Sequence, residues 1–100
     1  MATTTITGTA GTEVISDPHG YRSAESTFAF YGDFGGGTLT IEAAYDDEYS
    51  IFIPLKKQDG TLLSITENEI HTINLGKCSI RYKISSDSTS DPSVFVTIKD

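Results

Sequence analysis

Tryptophan is absent from this chain of 100 residues, cysteine and methionine occur once each, and proline occurs three times. No apolar run approaches the ~20 residues that a membrane-spanning helix needs. A single thiol, Cys78, excludes an internal disulfide framework, so folding requires no oxidising compartment. Positive charge is also scarce. Seven Lys and Arg stand against 14 Asp and Glu, a formal net charge of -7, and a surface of that sign repels nucleic acid and anionic membranes alike. The segment from Met1 to Ile6 is threonine-rich, with neither a basic start nor an apolar stretch, so no signal peptide is expected and synthesis and folding in the cytoplasm follow.

The acidity is uneven. Up to Leu55 eight carboxylates face only Arg22, whereas from Lys56 onward six carboxylates meet six cations. A basic patch on a partner suits such a surface. The 37% hydrophobic content, with five Phe and five Tyr, supplies one modest core and leaves no room for a separate catalytic domain. Residues 1–100 are therefore expected to form a single domain.

What the chain does contain is alternation with a period of two. Leu39, Ile41 and Ala43 alternate with Thr38, Thr40 and Glu42, and after the acidic turn Asp46-Asp47-Glu48 the residues Tyr49, Ile51, Ile53 and Leu55 share one face. That pattern predicts a hairpin with one buried and one wet side. Cys78, Ile80, Tyr82 and Ile84 repeat it against Ser79, Arg81 and Lys83, as do Val94, Val96 and Ile98 against Phe95, Thr97 and Lys99. Weaker strand signals cover Thr12 to Ile15, Ser26 to Tyr31, Thr61 to Ile65 and Ile70 to Leu75, with turns at Asp17-Pro18-His19-Gly20, Gly35-Gly36-Gly37, Asp59-Gly60, Gly76-Lys77 and Ser90-Asp91-Pro92. The expectation is an all-β, two-sheet antiparallel β-sandwich of seven or eight short strands, with residues 1–11 as an extended N-terminal arm. Thr66-Glu67-Asn68-Glu69 has a capping-box spacing but runs into β-branched residues, which limits it to a single helical turn.

No motif for catalysis survives inspection. The glycines of Gly32-Asp33-Phe34-Gly35-Gly36-Gly37 lead into a strand, whereas a phosphate loop leads into a helix, so they read as a turn. The acidic turn lacks the ligand alternation of a calcium loop. His19, His71 and Cys78 are too few for a zinc site, and Cys78 lies on an apolar strand face as a core residue. Fourteen carboxylates select no particular pair for glycoside hydrolysis. The protein is expected to be no enzyme and to need no cofactor or metal.

Phe52 and Phe95 stand at the opposite parity to Ile51 and Ile53 or to Val94 and Val96, so they point outward. Either both strand faces are covered within the domain, or a neighbouring subunit covers the rings. Pro54 interrupts the hydrogen-bond ladder and marks a sheet edge.

The run from Phe34-Gly35-Gly36-Gly37-Thr38-Leu39-Thr40-Ile41-Glu42 through Tyr49 and Ile53-Pro54-Leu55 resembles small β-sandwich structural proteins of tailed bacteriophages. Gly76-Lys77-Cys78-Ser79-Ile80-Arg81-Tyr82 and Ser90-Asp91-Pro92-Ser93-Val94-Phe95-Val96-Thr97-Ile98 look like closing strands of the same pattern. The resemblance implies a virion structural protein, foremost a capsid decoration or cement protein, with a head fibre or a tail or head-completion component as further forms. It implies a homo-oligomer, a trimer above others, and contact with the major capsid protein or other virion subunits. On this reading the partner interface comprises Phe52 and Phe95 as anchors, the arm with Thr3, Thr5 and Ile6 pairing at a sheet edge, and Arg81, Lys83 and Lys99 as charged members of the outer face. A reading from another class is a carbohydrate- or receptor-binding module in which Tyr45 and Tyr49 stack on sugar beside Asp46 and Asp47.

Overall fold

The structure, a computed structural model, describes residues 2–21, 25–46, 48, 50–57 and 59–99. Among them are nine strands and no helix: β1 (Ala2–Thr7), β2 (Val14–Ile15), β3 (His19–Tyr21), β4 (Ser26–Asp33), β5 (Leu39–Ala44), β6 (Ile53–Pro54), β7 (Glu69–Ile73), β8 (Cys78–Ile84) and β9 (Ser93–Lys99). They form two antiparallel sheets, ordered β1-β9-β4-β7 and β2-β8-β5-β6, with β3 joining the second sheet on β8. The fold is a β-sandwich.

Alternation places the core between the layers. Along β8 the residues Cys78, Ile80, Tyr82 and Ile84 are buried while Ser79, Arg81 and Lys83 are half-exposed. The opposing sheet contributes Phe28, Phe30, Val94 and Val96, all at most 1% exposed, with the Phe28 and Phe30 rings 6.2 Å apart. β-branched and aromatic residues suit this half-buried pleated surface, which is why the short segments hold as strands. The glycine run makes the turn into β5. The Gly37 N–H donates to the Phe34 carbonyl, and the Gly35 carbonyl accepts from Thr89 and Ser90 N–H, tying this turn to the loop before β9.

Several expectations need correction. The N-terminal segment is no free arm: Ala2–Thr7 pairs with β9 from Ala2↔Ile98 to Thr7↔Ser93 and drops Ile6 into the core at 2% exposure. A threonine-rich strand has high β-propensity, and the chain's own last strand satisfies it. His19-Gly20, read as part of a turn, instead pairs with Ile80 and Ser79 on β8. The Thr61 to Ile65 strand shrinks to isolated bridges, Lys56↔Leu62 and Leu39↔Ile65. The hairpin's return strand is only two residues long, and Ile51 and Ile53, expected inside, are 63% and 62% exposed. They have the inward parity, but β6 is the edge of its sheet and the opposing layer does not reach across to cover them. Thr66 to Asn68 forms no helical turn and leads directly into β7.

Candidate interaction surface

Strand register brings the outward residues of the first sheet into rows. Thr5 lies beside Phe95, which lies beside Tyr31; Thr3 lies beside Thr97, which lies beside Ala29, which lies beside Ile70. Phe95 and Tyr31 stack with ring centroids 5.5 Å apart and planes 24° from parallel. The Thr97 hydroxyl is 3.0 Å from both the Thr3 hydroxyl and the Tyr31 hydroxyl, which locks three strands together through their outer side chains. Ile70 projects at 72% exposure and Tyr31 at 40%. These rows hold no charged side chain; in register, Asp33 and Lys99 lie beyond them towards the two ends of the sheet. For a chain of net charge -7 this face is an exception.

The expected interface residues separate into two groups. Thr3, Thr5, Phe95 and Lys99 belong to the first sheet, with Thr3 and Thr5 exposed and Phe95 half-exposed. Phe52, Arg81 and Lys83 belong to the outer side of the second sheet, across the core. There the Arg81 guanidinium covers the Phe52 ring, 4.2 Å from its centroid, while its Nε donates to Glu42 at 2.7 Å. Lys83 pairs with Glu13 at 3.3 Å. Phe52 precedes β6 and is not a mid-strand residue, and its exposed face is already taken by an internal cation–π contact. The Ile6 side chain belongs to the core, so only its backbone, on the edge strand β1, is placed for pairing. The two phenylalanines therefore do not form one patch.

Tyr31, Ala29, Thr97 and Ile70 complete the face and were not among the expected interface residues. The signal was present for two of them. Tyr31 stands at the opposite parity to Phe28 and Phe30, and Ile70 to His71 and Ile73, the same displacement that pointed to Phe95.

Of the alternative sugar site, the polar groups of Tyr45 and Asp46 are engaged internally. Asp46 accepts from Ser50 N–H, Ser50 hydroxyl and Ile51 N–H, at 3.0–3.1 Å, and these donors, the Ile51 amide foremost, hold its carboxyl below the usual aspartate range. The Tyr45 hydroxyl donates to the Leu75 carbonyl at 2.6 Å; burial of that end, then the neighbouring Cys78 thiol, pushes its pKa up to about 12. Asp47 and Tyr49 lie outside the described residues. Asp33, at the glycine turn, is likewise engaged, accepting from Gly35 N–H at 2.8 Å. Among the described residues no cluster of three or more His, Cys, Asp or Glu is placed to hold a metal.

Fold and surface define a class: a two-sheet β-sandwich with one sheet face of aromatic, aliphatic and hydroxyl groups. No protein family, curated protein or solved structure matches the chain in sequence or fold.

Proposed function

We propose that this protein is a non-enzymatic structural subunit that associates through the outer face of its β1-β9-β4-β7 sheet, in the manner of a virion component of a tailed phage and foremost a capsid decoration protein. One observation carries the reading: Phe95 stacked on Tyr31, flanked by threonines and the projecting Ile70, in the uncharged middle of a sheet face whose charges, Asp33 and Lys99, lie at its ends. Strands fix these side chains, so little freedom is lost when a partner covers them. Burial of each ring or branched side chain contributes about 1.5–3 kcal/mol. The likeness of the glycine turn and closing strands to phage structural proteins supplies the setting, and the homo-oligomer supplies the covering surface.

Sedimentation equilibrium over a range of concentrations tests the association. The wild type is expected to form a closed oligomer, a trimer foremost. Phe95→Asp should shift it to monomer while its thermal unfolding stays near that of the wild type, because the ring is not part of the core. A wild type that stays monomeric throughout, or a Phe95→Asp variant that still assembles, would refute the homotypic face. Mass spectrometry of particles from a phage encoding the chain should find it in many copies; its absence would remove the virion setting.

A further inference from the structure

The sheet order leaves β7 at an edge, and among the described residues nothing pairs with its outer side. In an antiparallel strand every second residue turns its N–H and C=O away from its one partner, so β7 offers a row of free backbone donors and acceptors. Beside that edge a cleft of about 650 Å³ opens between the sheets, walled by Ile73 and Leu75 on one side and by Leu55, Lys56, Lys57 and Leu63 on the other. Its floor reaches the core: Leu63 is 7% exposed, and Leu55, Ile73 and Leu75 pack against the central cluster.

Charge selects what fits. Arg81 and Lys83 are neutralised by Glu42 and Glu13, and the nearby His71 is held by Glu69 at 2.7 Å. Lys56 and Lys57 have no ion-pair partner among the described residues, although Lys57 adds to the Thr61 hydroxyl and N–H bonds that chiefly hold the Asp59 carboxyl low. Lys57 N–H donates to the Thr61 carbonyl at 2.7 Å, Gly60 N–H donates to the Lys57 carbonyl at 3.0 Å and Lys56 bridges to Leu62, so the backbone of both lysines is held at the rim. Glu25 lines the cleft as well and disfavours a second carboxylate near it. An open strand edge, an aliphatic floor and an adjacent cation pair together match an extended peptide that carries both aliphatic and acidic side chains.

We infer that the cleft between β7 and the 55–63 segment binds an acidic, aliphatic peptide segment as an added antiparallel strand on β7. Its backbone completes the ladder, alternate side chains enter the cleft, and its carboxylates meet Lys56 and Lys57. The site uses the edge of β7 and the cleft beside it, not the outer face to which Ile70 belongs, so the two readings are tested separately.

A fluorescein-labelled peptide, Leu-Thr-Glu-Thr-Glu-Thr-Leu, tests this by anisotropy against the full chain, with Gln in place of Glu as the neutral control. Binding is expected to weaken at least about tenfold for the neutral peptide and for the double variant Lys56→Glu/Lys57→Glu, whose exposed positions leave the fold intact by circular dichroism. Hydrogen exchange should slow at the outward β7 amides and not at β1, and Phe95→Asp should bind the peptide as the wild type does. No binding at about 1 mM peptide, equal binding of the neutral peptide, unchanged binding by the double variant, or protection at β1 in place of β7 would each overturn the inference.

Discussion

Gly35 holds φ at +64°, and a methyl group there would overlap the Ser90 carbonyl oxygen, so two independent constraints act on one residue. Gly35→Ala is therefore expected to destabilise the fold by more than the ~1 kcal/mol of a left-handed backbone penalty alone, measured by urea unfolding. A cost below that would mean the turn can shift away from Ser90. His19 is a second sensitive position. Its ring packs 5.6 Å from that of Tyr82, its Nε2 has no partner among the described residues, and burial lowers its pKa below the ordinary 6.5. The unfolded chain then binds the proton more readily than the folded one. Stability is full above pH 6.5 and declines as pH falls below it towards the lowered folded value. His19→Gln should flatten the dependence measured between pH 7 and pH 5, roughly the interval in which a histidine titrates; an unchanged slope would clear His19 of that role.

At the scale of elements, β1 shows how burial turns an apparent arm into structure. Ile6→Ala should cost about 2–4 kcal/mol in equilibrium unfolding, the range for a buried branched side chain, whereas a frayed segment would lose almost nothing. The strands that the sequence reading places best are those with long strict alternation, β5, β8 and β9, because both their faces differ in chemistry. β6 failed that test for a physical reason: Ile51 and Ile53 carry the correct parity, but parity fixes direction and not coverage, and these two side chains are left exposed at the sheet edge. β3 was hidden because Pro18, His19 and Gly20 are turn residues by local preference, overridden here by pairing with β8. The same distinction governs the candidate face. Phe95 was legible from parity, but its separation from Phe52 depended on which sheet each strand joined, and that is set by contacts distant in sequence.

For the molecule as a whole, the charge of -7 and the two candidate surfaces respond to salt in opposite senses. Copies of net charge -7 repel one another at long range, and screening relieves this; a peptide held by Lys56 and Lys57 loses its attraction under the same screening. Raising sodium chloride from about 0.05 to 0.5 M should therefore strengthen self-association while weakening the acidic peptide, both followed on one sample by sedimentation and anisotropy. Parallel responses would show that a single surface serves both events.

β9 lies between β1 and β4, so the strand that follows all the other described strands in sequence sits in the interior of its sheet. On the ribosome, the first strand and the β4–β7 pair must wait for residues 93–99 to emerge before they can be joined. Closure of this layer links strands far apart in sequence, and until it happens Phe28 and Phe30 lack the Ile98 and Val96 neighbours that lie beside them in the finished sheet.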